Sequence, residues 1–101
     1  MKLNLLQNEP VTIVEVCGRI DTTTSAYFQE EMLKVLNSNN CDIELKCSQL
    51  NYVSSSGVRA LLVSEEVAKT LGKTITLCNL QPKIKKLVTV SHFETYFKFK
   101  D

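Results

Sequence analysis

The chain has 101 residues, 44% of them hydrophobic, and its 12 Lys and Arg nearly balance 11 Asp and Glu, for a formal net charge of +1. This make-up suits one compact globular domain spanning 1–101 and excludes a disordered or fibrous chain; well-mixed charge also argues against a duplex-binding face, so no direct nucleic-acid partner is expected. The apolar runs fall far short of the roughly 20 residues that cross a bilayer, and the start of the chain is too short and polar for a signal peptide, so a cytoplasmic protein without membrane insertion is expected.

Leu3 to Leu5 and Val11 to Cys17 read as two β-strands, the second alternating with period two, joined by a turn at Asn8-Glu9-Pro10. Gly18-Arg19-Ile20-Asp21 then leaves the second strand. Asp21 to Ser25 offers several N-caps for a helix running to about Leu36, with Phe28, Met32, Val35 and Leu36 on one face and Asn37-Ser38-Asn39-Asn40 as its stop. Ile43 to Cys47 alternates as a half-buried strand. Tyr52-Val53 leads into Ser54-Ser55-Ser56 and a second helix, in which Val58, Leu61, Leu62 and Ala68 form the apolar stripe and Leu71-Gly72-Lys73 the end. Thr74 to Cys78 is the next strand. Pro82 opens a third helix with Ile84, Leu87 and Val88 inward, and Tyr96 to Phe99 is a last short strand.

The order is therefore β-β-α-β-α-β-α-β, an α/β fold. The opening hairpin must be antiparallel and the helical crossovers favour parallel pairing, giving a mixed sheet with helices packed on it.

Cys17, Cys41, Cys47 and Cys78 contain no Cys-x-x-Cys pair, and three of them lie in or at the end of apolar strand-like runs, where a free thiol acts as a small hydrophobe. A disulfide framework or a zinc site is the alternative, disfavoured by the wide spacings and the single His92. The three glycines form no phosphate loop, and Lys83, Lys85 and Lys86 read as a solvated helix face. No cofactor is expected.

The serine triplet is the most informative segment. It stands where a strand meets the first turn of a helix, whose leading N–H groups lack intrahelical partners and lie at the positive end of the dipole. Serine there is a cap or a modifiable hydroxyl. On the second reading, the N–H groups of Ser56, Gly57 and Val58 would receive a phosphate, and Arg59, four residues after Ser55, stands one turn away. A solvated Arg59, and Asp21 as a plain helix cap, are the simpler readings. A serine hydrolase is the enzymatic alternative, but no Gly-x-Ser-x-Gly elbow is present: Val53 precedes Ser55 by two and Ser54 precedes Ser56 by two. His92 has no assigned carboxylate partner, so the chain is not read as an enzyme.

Four landmarks in order resemble the STAS family in its anti-sigma factor antagonist form: Gly18-x-Ile20-Asp21 after a strand; the strand Ile43 to Cys47; Tyr52-Val53-Ser54-Ser55-Ser56-Gly57-Val58-Arg59 opening a helix; and Gly72-Lys73 before a strand followed by Pro82 and Ile84. The third is the specific one. The resemblance implies a regulatory protein whose unmodified form binds a partner that is both anti-sigma factor and serine kinase, releasing a sigma factor. Phosphorylation of Ser55 would then turn binding off and a phosphatase would reset it. By the same resemblance Asp21, Ser54, Ser56, Gly57 and Arg59 flank Ser55 on the partner surface. Antagonists commonly carry Asp before the phosphorylated serine; here that position is Ser54, which removes a carboxylate available to position the hydroxyl or a metal of the kinase. The alternative within the family is a constitutive subunit docking onto a transporter or sensory assembly, with the serine loop only an interface cap.

Overall fold

The structure, a computed structural model, describes residues 1–38, 40–90 and 97–101. Its elements are β1 (Lys2–Gln7), β2 (Thr12–Ile20), α1 (Ser25–Ser38), β3 (Ile43–Lys46), β4 (Leu50–Val53), α2 (Ser55–Thr70), β5 (Ile75–Cys78), α3 (Pro82–Val90) and β6 (Lys98–Lys100). The sheet runs β1-β2-β3-β5-β6, with β4 also paired to β2. Among the described residues only the β1–β2 hairpin is antiparallel and the other four pairings are parallel, because a helix carries the chain back between β2 and β3, β4 and β5, and β5 and β6.

The register assigns the two sheet faces. Thr12, Ile43 and Ile75 lie in one row and Val14, Leu45, Leu77 and Phe99 in the next; their neighbours across the pleat are Ile13, Glu44, Thr76 and Lys98, then Glu15, Lys46, Cys78 and Lys100. The first set builds the core, while on the second Glu44 pairs with Lys46 at 3.5 Å and Lys100 at 3.7 Å. Helices cover the apolar rows. Phe28, Met32 and Leu36 of α1, spaced by four, are fully buried, as is Ala68 of α2, with Val58 and Leu61 nearly so. Each large side chain withdrawn from water in this way contributes roughly 1.5–3 kcal/mol.

The α2 terminus shows how local chemistry sets an element's end. Gly72 takes φ +73°, Lys73 N–H donates to Ala68 O at 2.8 Å and Gly72 N–H to Lys69 O at 3.1 Å, the double closure of a Schellman motif. The Lys73 side chain is buried and its ammonium donates to the carbonyl of Leu36 in the last turns of α1. The two helices are thereby joined at their C-terminal ends.

Several expectations are corrected. Residues 50–53 form a strand of their own, so the sheet has six strands. The second strand does not end at Cys17: Gly18, Arg19 and Ile20 stay in β2 because Leu50, Tyr52 and Val53 supply their parallel partners. Leu87 is 41% exposed rather than inward; Ile84 and Val88, four apart, carry the buried stripe of α3. The first helix continues two residues past Leu36 to Ser38. All four cysteines are free thiols, Cys47 and Cys78 buried and the others half-buried. Burial pushes the Cys47 thiol up to about 12. Among the described residues no group of His, Cys, Asp and Glu is arranged to hold a metal, and no helix is long and apolar enough to cross a membrane. Asn39 of the helix stop, His92 and Tyr96 lie outside the described residues.

Candidate functional site

Strands β2 and β4 end side by side. Ile20 is in register with Val53, and Ser54 N–H donates to Ile20 O at 2.9 Å, extending the pairing by one residue. The chain segments that follow, one starting at Asp21 and the other at Ser54, therefore leave the same end of the sheet and open α1 and α2.

The three serines have different environments. Ser54, extended at φ −84° and ψ 176°, is the N-cap of α2; its Oγ accepts the Gly57 N–H at 3.1 Å and its carbonyl accepts the Val58 N–H at 2.8 Å. Ser56 is half-buried and shares a 2.8 Å hydroxyl–hydroxyl hydrogen bond with Ser54. Ser55, at the first helical position, is exposed, and its hydroxyl makes no side-chain hydrogen bond among the described residues. Two of the three amides expected to receive a phosphate, those of Gly57 and Val58, are thus already bonded to Ser54, which corrects the sequence reading.

Gly57 has a packing role. A Cβ there would stand 2.4 Å from the Ile20 carbonyl oxygen and 2.9 Å from Val53 Cγ1, so its lack of a side chain lets α2 begin directly against the ends of β2 and β4. It is buried, and contributes to any surface only by fixing where the serines stand.

Asp21 is saturated from within the chain. Its Oδ1 accepts the Thr23 N–H at 2.9 Å, the Thr23 hydroxyl at 2.7 Å and the Thr24 N–H at 3.2 Å, the pattern of an Asx turn leading into a helix. Its Oδ2 pairs with Arg19 Nε at 3.3 Å. The Thr23 hydroxyl and then the Thr23 N–H hold the carboxyl at about 2, below its ordinary 3.8, with Arg19 and Thr24 adding to the same direction. The Arg19 guanidinium also lies 4.7 Å from the Tyr52 ring centroid. Arg19 and Tyr52 escape a reading of the chain because only the parallel register of β2 on β4 makes them partners.

Arg59 is exposed and, among the described residues, makes no ion pair. It stands on the wall of an open groove of about 380 Å³ between the N-terminal halves of α1 and α2, with Ser56 and Ala60 on its own helix and Gln29, Glu30 and Leu33 opposite. The site is thus a groove with Ser56 and, among the described residues, the unpaired cation Arg59 on its wall, the exposed Ser55 hydroxyl one residue before Ser56, and a closed carboxylate on the neighbouring loop.

Comparison with known proteins bears on the family and the fold. The model of the STAS domain matches residues 2–101. A protein of Bordetella bronchiseptica named as an anti-sigma factor antagonist, BtrV, is 24% identical over 98 residues, covering 96% of this chain and 84% of that one. The anti-sigma F factor antagonist of Paenibacillus polymyxa is 23% identical over 92 residues, covering 90% and 79%. Among solved structures, an anti-sigma factor antagonist from Mycobacterium paratuberculosis superposes with a TM-score of 0.84 at 16% identity, covering 98% of this chain and 84% of that one. The Bacillus cell fate determinant SpoIIAA in its phosphorylated form gives 0.69 at 16% identity, covering 97% and 88%. The same fold occurs within the murine anion transporter Slc26a9, with a TM-score of 0.73 at 19% identity, covering 79% of this chain and 13% of that one. With a six-stranded mixed sheet, three helices and a family match over almost its whole length, this chain belongs to the STAS domain family.

Proposed function

We propose that this protein is an anti-sigma factor antagonist, binding an anti-sigma factor that is also a serine kinase and switched off by phosphorylation of Ser55. The observation that carries the reading is the exposed Ser55 hydroxyl, unbonded by other side chains while its two neighbours bond each other. The relatives' names support the antagonist class, and the phosphorylated SpoIIAA supports a phosphate as the switching group in this fold. A phosphate would add about −1.5 to −2 charge at pH 7 beside the α1–α2 groove. A partner surface formed against neutral serine then has to bury an uncompensated anion, and a loss of 2–4 kcal/mol weakens a complex by roughly thirty- to a thousand-fold. The domain itself needs no rearrangement, because the Ser55 hydroxyl supports nothing in the fold.

Binding to the native anti-sigma factor, measured by calorimetry, tests the proposal: Ser55→Ala retains affinity and Ser55→Asp lowers it at least about thirty-fold. Incubation with that partner and ATP adds one phosphate, located at Ser55 by mass spectrometry. Transfer to another serine, or wild-type affinity in Ser55→Asp, rejects the assignment. A phosphatase completes the cycle by restoring the neutral hydroxyl.

A further inference from the structure

This inference rests on Ser55 as the phosphate acceptor and concerns what neutralises that phosphate. Of the three leading helix amides, Ser54 already engages those of Gly57 and Val58, which leaves that of Ser56. The nearby cations differ in their commitments: Arg19 is paired with Asp21 at 3.3 Å and stacked on Tyr52, whereas Arg59 makes no ion pair among the described residues. Glu30, on the opposite wall of the groove, pairs with Lys34 at 3.8 Å rather than with Arg59. Ser55 and Arg59 are both exposed and four apart on one helix, a spacing that makes their side chains neighbours, and an anion placed N-terminal to a cation is the favourable order. Guanidinium also matches phosphate through two parallel hydrogen bonds.

We propose that Arg59 is the internal counter-ion of phosphorylated Ser55. Modification then acts twice: it places an anion at the exposed start of α2 and draws toward it the guanidinium that stood on the groove wall. The modified state is stabilised by a pairing absent from the unmodified one, and it requires no movement of the backbone.

The test uses full-length protein carrying genetically encoded phosphoserine at position 55, titrated by phosphorus NMR in the wild type, Arg59→Gln and Arg59→Lys. The expected result is a second phosphate pKa lower in the wild type than in Arg59→Gln by about 0.3 unit or more, with Arg59→Lys between them, and a difference that shrinks in high salt. Equal values in the wild type and Arg59→Gln, with unchanged circular dichroism, overturn the proposal. The outcome is separable from that of the switch itself. If phosphorylation abolishes partner binding while the titrations coincide, the Arg59 assignment fails and the switch stands. If the titrations differ but partner binding ignores the phosphate, the counter-ion stands and the switch fails.

Discussion

The two loops that leave the sheet side by side solve the same problem differently. Before α1, Asp21 gathers the Thr23 and Thr24 amides, the Thr23 hydroxyl and Arg19 onto one carboxylate. Before α2, Ser54 caps the helix and bonds Ser56, yet Ser55 between them is left open to solvent. A helix start can be completed by one side chain, so a second polar group there is released from structural duty. The Asp21 loop is finished; the Ser54 loop keeps one hydroxyl in reserve.

Substitutions sharpen this contrast. The largest effect belongs to Gly57→Ala, which places a methyl group 2.4 Å from the Ile20 carbonyl; the shift of α2 off the strand ends costs about 2 kcal/mol, read as a lower urea midpoint. Asp21→Asn comes next and acts through pH. A carboxyl held at about 2 when folded, against 3.8 ordinarily, takes up its proton later than in the unfolded chain. Its contribution is therefore complete above about pH 4 and lost as pH falls toward about 2. Acid unfolding followed by circular dichroism shows a flatter decline over that window in Asp21→Asn, from a lower starting stability; identical acid limbs would remove the carboxylate from its organising role. Ser54→Ala loses the N-cap and about 1 kcal/mol. Ser55→Ala is the smallest, within about 0.5 kcal/mol of wild type. A Ser55→Ala loss equal to that of Ser54→Ala would erase the distinction between a capping and a spare serine.

Much of the architecture was legible in the chain because the patterns were strong. The antiparallel opening pair, the three helices and the parallel strands after them follow from period-two alternation over Val11 to Cys17, whose buried face is Thr12, Val14 and Val16 rather than Val11 and Ile13, four-residue spacing at Phe28, Met32 and Leu36, and the glycine at position 72. β4 shows in the sequence as a strand-like lead-in to the serines but not as a separate member of the element order, because its four residues bury only Leu50 and Val53, at the ends, without the alternation that marks a half-buried strand. Leu87 was misplaced because three- and four-residue spacings compete on a short helix, and the sheet covers the Ile84–Val88 side. At the candidate site, the sequence located the serine triplet, but which serine was capped depended on hydrogen bonds. The Asp21 network likewise depends on a turn whose bonds are not encoded in any spacing, and the Arg19–Tyr52 stack on a strand pairing between distant segments.

The lysine that follows α2 has a mechanical consequence. Because Lys73 clasps the far end of α1, the helices resemble tweezers held at the handle, with Ser25 and Ser56 near the tips. The two helices are thus tied to each other directly at the end away from the serines, by a bond that does not pass through the sheet.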